Sequence, residues 1–192
     1  MATGSATKTL MTVEEFHALP DDGRERWLIR GQLREAEDEV TRRNRKHSKT
    51  EARIAQLICN WLDGQPQPRG AVYSGEAGFW LSDQPGSSVG IDVAFASPDV
   101  VAAQDESESL VVGAPLLAVE ILSPSDKHEE ITEKVEEYLA AGVKLVWLVD
   151  PDFRTVQVFQ PGQEPEMFNI KHTLSGNPHL PGLSLAVATI FE

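Results

Sequence analysis

The segment 116–150 constrains the fold more than any other part of the chain. Leu116 to Leu122 is a short run rich in branched apolar residues. Ile131, Val135, Tyr138 and Leu139 then recur at helical spacing, up to Gly142, which suits a left-handed helix cap. Lys144 to Asp150 follows as a nearly all-apolar strand. A strand–helix–strand crossover of this kind predicts two parallel strands. An apolar run with no polar alternation belongs in the middle of a sheet covered on both faces.

The other elements fit around that unit. Thr12 to Glu15 has the spacing of a capping box, and Glu14 to Leu19 reads as a short helix before Pro20. Trp27 to Arg30 and Gln32 to Glu35 read as short strands about Gly31. A second capping-box pattern, Ser48 to Glu51, precedes Ile54, Leu57, Ile58, Trp61 and Leu62, an amphipathic helix stopped by Gly64. Val72 to Leu81, Ile91 to Ala96 and Leu116 to Leu122 predict three strands, able to form a meander, with turn-rich segments at 82–90 and 97–115. Thr155 to Phe159 and Met167 to Ile170 read as a hairpin about Pro161 and Gly162, and Leu180 to Glu192 closes the chain. The expected fold is α/β, a mixed central sheet flanked by helices with an αβββαβ core and an added C-terminal hairpin. Residues 1–10 are expected to be a frayed tail and 11–192 a single domain.

Composition removes several classes. At 192 residues the chain is long enough to bury roughly 70% of its unfolded surface without staples. Cys59 is the only cysteine, so no disulfide framework can form within the chain; beside Ile58 on the helix, it is expected to be packing. No apolar stretch approaches the ~20 residues of a membrane span, and Met1 to Leu10 has no secretion-signal core, so a cytoplasmic protein is expected. No nucleophile elbow, phosphate-binding loop, dinucleotide fingerprint or zincin motif is present. Net charge is −13, but residues 24–53 hold ten of the 17 Lys and Arg against six acids; the rest holds seven against 24. A uniformly acidic protein would repel nucleic acid, whereas one with a local basic window need not.

Two acids stand out by position. Asp92 lies within Gly90 to Phe95 and Glu120 within Leu116 to Leu122, both otherwise apolar strands. An ionised acid in such a strand is costly unless paired. A structural salt bridge would account for either acid alone. Two on neighbouring strands form an oxygen-rich pair suited to Mg²⁺ or Mn²⁺. Lys134, beside Ile131 and Tyr138 at the edge of the apolar stripe, can send its ammonium toward Glu120 while its stem packs on the sheet.

These residues resemble the Uma-two family, a bacterial branch of the PD-(D/E)XK restriction-endonuclease superfamily. The resemblance rests on Asp92, on Val119 to Ser125 with its Glu120, on Lys134 with Tyr138, and on Ala141 to Val143 followed by Val146 to Pro151. It takes in Met11 to Phe16 and Leu180 to Leu183 as well. It implies an Mg²⁺- or Mn²⁺-dependent endonuclease, most readily a deoxyribonuclease. Asp92 and Glu120 match the metal-binding acids, with the Ile121 carbonyl as a helper, and Lys134 matches the family's lysine. The superfamily's usual lysine position, two after the glutamate, is Leu122. Trp27 and Arg30 replace early acids of the family, leaving the auxiliary acidic group unmatched; Glu35 and Glu51 are the nearest alternatives. His47 matches a histidine often found at this point.

The basic run Arg42, Arg43, Arg45, Lys46, His47 and Lys49 is the one region suited to offset phosphate charge, and it is the expected nucleic-acid contact. Cutting both strands of a duplex would call for two sites, which leaves room for a homodimer. The alternatives are a degenerate member that binds nucleic acid without cutting, and a scaffold that keeps only the fold.

Overall fold

A computed structural model describes residues 10–20, 22–36, 44–105 and 109–192. Arg42 and Arg43 lie outside the described residues. In chain order the elements are α1 (Val13–His17), β1 (Arg26–Ile29), β2 (Gln32–Glu35), α2 (Arg45–Asp63), β3 (Ala71–Asp83), β4 (Gly86–Ala96), α3 (Pro98–Ala102), β5 (Val111–Val112), β6 (Leu117–Ile121), α4 (His128–Ala141), β7 (Leu145–Asp150), β8 (Thr155–Phe159), β9 (Glu166–Asn169), β10 (Thr173–Ser175), β11 (Ser184–Ala186) and α5 (Val187–Ile190). The main sheet runs β2-β1-β4-β6-β7-β8-β9, with β3 on β4 and β5 on β3; β10 and β11 pair separately.

The crossover forms as expected, with β6 and β7 parallel from Leu117–Leu145 to Ile121–Val149, and Gly142 closing α4 at φ 102°. Both faces of this central region are covered. Ile54 and Ile58 of α2 pack with Val93, Val119, Trp147 and Val149 on one face, while Val135 and Tyr138 of α4 pack with Ala94, Ala118 and Val146 on the other.

Three boundaries differ from the sequence reading. α2 begins at Arg45 rather than after Ser48, because the Asn44 side chain accepts the His47 amide at 2.9 Å and caps the helix one turn earlier. The segment 82–90 is mostly strand: β3 and β4 meet in a tight hairpin at Asp83–Gly86, and Ser87 and Ser88 are buried. Within 97–115, Ser97 caps the short α3, and Val111 and Val112 add a strand to β3. Cys59 is exposed rather than packed, one residue past buried Ile58 on the outer side of α2. Among the described residues no helix is long and apolar enough to cross a membrane.

The β1–β2 turn binds α4 to the sheet. Arg30 and Gly31 both take positive φ, 50° and 71°, as a two-residue hairpin turn requires. Arg30 Nε then donates to Glu137 Oε2 at 2.9 Å, Ser87 Oγ donates to Glu137 Oε1 at 2.5 Å, and the Arg30 amide donates to Ser87 Oγ. Glu137 is buried, so its charge depends on those two donors. Arg30→Ala is expected to lower stability in urea unfolding by about 1–2 kcal/mol. This is less than a fully buried pair would lose, because the arginine is half in water. Glu137→Gln, which keeps an acceptor for either donor, should cost less than Arg30→Ala.

Candidate active site

β4 changes partner along one edge. β3 occupies its other edge from end to end, while this edge meets β1 at Leu28–Ser88 and then β6 from Val93–Val119 onward. Asp92 and Glu120 are the next residues beyond the Val93–Val119 pair, side by side where that ladder ends. They are 4% and 5% exposed. A site at a change of strand partner is a common place for a cleft, because backbone pairing no longer fills the space.

Each acid is held by different groups. Asp92 Oδ2 accepts the buried Ile121 amide at 2.8 Å and faces His47 Nε2 at 3.2 Å. Glu120 Oε1 accepts the Tyr138 hydroxyl, and Oε2 accepts Lys134 Nζ at 3.4 Å. Tyr138 and Lys134 are one turn apart on α4 and reach the same carboxylate, as i and i+4 positions on one face do. Burial pushes the Glu120 carboxyl up to about 7. The Lys134 ammonium opposes that rise, the Asp92 charge adds to it, and the Tyr138 hydrogen bond opposes it. Burial works against the charge on Lys134 too, but Glu120, Glu25 and Asp92 outweigh it and lift the lysine above its ordinary value. Tyr138 is raised by burial and by the Glu120 charge. The lysine ammonium lies 5.3 Å from the centroid of the Trp27 ring and lines a cleft of about 300 Å³ with Glu25, Trp27, Glu76 and Ser88. Trp27 thus faces the lysine with an aromatic ring.

His47 separates from the basic run in which the sequence placed it. It is 1% exposed, whereas Arg45, Lys46 and Lys49 are exposed on the outer side of the same helical turns. Lys46 pairs with Asp152, and Asn44, Arg45 and Lys46 line a cleft of about 350 Å³ against Leu122, Pro124 and Pro151. Of the two alternative acids, Glu35 is drawn away by Arg26 at 2.6 Å, while Glu51 lies in the site. One donor atom each from His47, Glu51 and Asp92 lie within 4.8 Å of one another. The spacing of His47 and Glu51, i and i+4 on α2, was the available signal, but it gains meaning only once the helix is known to start at Arg45.

Comparison with known proteins identifies the fold and the family. A crystal structure of a "putative nuclease belonging to DUF820" from Anabaena variabilis ATCC 29413 superposes with a TM-score of 0.77 at 24% identity. The alignment covers 94% of this chain and 97% of that one, a likeness that shows the fold. No curated protein matches the chain. The Uma2 family model, described as "Putative restriction endonuclease", matches residues 13–188, a span holding both acids, the lysine and the whole sheet. The chain belongs to the Uma2 family, the family that carries this description.

Proposed function

We propose that the protein is a metal-dependent endonuclease that hydrolyses nucleic-acid phosphodiester bonds, with DNA as its polymer and Mg²⁺ or Mn²⁺ as its cation. The observation that carries this reading is the buried pair Asp92 and Glu120 at the end of the β4–β6 ladder, with Lys134 3.4 Å from the second acid. Two buried carboxylates, the charge of Asp92 raising the proton affinity of Glu120, fit a cation's donor set. Asp92 and Glu120, with the Ile121 carbonyl, are the residues that would hold it. A divalent ion there supplies charge for the scissile phosphate and an acidified water.

The chain's own groups do the rest. Tyr138 fixes the Glu120 carboxylate by donating to Oε1, so its other oxygen keeps a set direction toward Lys134. Lys134, lining the cleft, donates to an attacking water or to a phosphate oxygen as charge builds there. Arg45, Lys46 and Lys49, with Arg42 and Arg43 preceding them in sequence, offer the phosphate contacts. Two copies acting together would cut both strands. A cytoplasmic setting agrees with such a substrate.

The test is supercoiled plasmid incubated with Mg²⁺ or Mn²⁺ beside an Asp92→Ala control. Nicking or linearisation by the wild type and none by the control is the expected result. Replacing Arg45, Lys46 and Lys49 with Gln should flatten the dependence of log affinity on log salt by roughly one unit per lost phosphate contact. Salt-dependent binding without cleavage in either metal would favour the reading of a degenerate binder, for which Trp27 in place of an acid is the supporting feature. Absence of both would leave a scaffold.

A further inference from the structure

The imidazole of His47 lies buried between two carboxylates. Nε2 faces Asp92 Oδ2 at 3.2 Å, and Nδ1 faces Glu51 Oε2 at 3.8 Å. A neutral imidazole carries one proton and can donate it to one neighbour only. With Nε2–H donating to Asp92, Nδ1 keeps its lone pair and points toward an anionic oxygen. That nitrogen is buried and has no hydrogen-bond partner among the described residues. An unpaired acceptor against a carboxylate, out of reach of water, is costly unless something positive joins them.

Glu51 is fixed for such a role by a strand irregularity. The β3–β4 register shifts between Ser74 and Ala77, with Gly75 at φ 78° and Glu76 at φ 57°. The bulge turns the Gly75 amide toward α2, where it donates to Glu51 Oε1 at 2.6 Å. One oxygen of Glu51 is therefore anchored to backbone, and the other is aimed at His47.

We infer that His47 and Glu51 join Asp92 as ligands of the bound cation, making a mixed nitrogen–oxygen centre that takes a first-row transition ion, such as Mn²⁺ or Co²⁺, in preference to Mg²⁺. This rests on the nuclease reading of the same site and adds the ligand set that decides its metal. Mg²⁺ favours oxygen ligands and gives up its waters reluctantly, whereas imidazole suits transition ions.

Mn²⁺ alone, added to the intact protein, tests this without reference to activity. Electron paramagnetic resonance should show the free-ion signal lost on binding, and pulsed measurements should show coupling to a ¹⁴N nucleus. His47→Gln should lose the nitrogen coupling and weaken Mn²⁺ binding roughly 10- to 100-fold or more, with a smaller loss for Mg²⁺. If that buried substitution fails to fold, Glu51→Gln retains an acceptor for the Gly75 amide. It should weaken Mn²⁺ while keeping the nitrogen coupling. Mn²⁺ bound by the wild type without nitrogen coupling would overturn the inference and leave an all-oxygen Asp92–Glu120 site, or an imidazolium bridging the two carboxylates. No Mn²⁺ binding at all would remove both this ligand set and the metal-dependent reading on which it rests.

Discussion

Lys134→Met should lower the cleavage rate by about 10²–10⁴-fold with cation binding and fold retained. Methionine keeps a long flexible stem to pack beside Trp27 and removes only the ammonium. Lys127 is the control that makes the experiment specific. It is the N-cap of α4, its side chain is 42% exposed, and it pairs with Glu130 at 3.5 Å. The two lysines are seven residues apart, about 10 Å along a helix axis, so they cannot serve one phosphate equally. Lys127→Met should change the rate by no more than a few-fold. A large loss from Lys127→Met with little from Lys134→Met, in a single-turnover assay, would move the catalytic ammonium to the start of the helix.

Asp92→Asn is expected to abolish cation binding at the site, weakening it by more than about 100-fold, since Asp92 belongs to every ligand set the geometry allows. Asparagine is the informative substitution because Asp92 Oδ2 also accepts the buried Ile121 amide. Alanine would strand that donor at a cost of about 1–3 kcal/mol, while asparagine retains an acceptor. Proton linkage gives a second readout, through Glu120. Its carboxyl is raised from 4.5 to about 7, so between those values the folded protein holds a proton that the unfolded chain has released. Apo stability should therefore fall as pH rises through this window. An ion that neutralises the acids should reverse the slope, and Glu120→Gln should remove it. Urea unfolding at pH 5 and pH 7.5, with and without Mn²⁺, checks each sign.

Much of this arrangement was legible because burial in a strand is costly for a carboxylate. Asp92 and Glu120 stood out as charges in apolar runs, and both are buried where two strands come together. Lys134 was legible from its place at the margin of the α4 stripe, and the crossover from the change of apolar period. His47 and Glu51 were not legible in the same way. On a helix surface a histidine and a glutamate cost nothing, so their types carry no signal of burial. Their role depends on an early Asn44 cap, which sets the phase of α2, and on a bulge in β3 that no local pattern announces. The basic run was legible as charge, but its division into exposed Arg45, Lys46 and Lys49 and buried His47 follows only from that helical phase.

α2 spans 19 residues, and its first two turns carry exposed cations on one side and buried His47 with partly buried Glu51 on the other. Ile54 and Ile58, further along the same rod, are locked into the core. A polymer gripping the outer side could not shift Arg45 or Lys49 without also shifting the imidazole two residues away. On the proposed function, binding of polymer and ion would therefore share a single mechanical element. Whatever factor one ligand imposes on the affinity of the other must be returned in equal measure. On the proposed function, occupancy by the ion would then be a condition that the polymer itself can set, and the ion in turn would set how firmly the polymer is held.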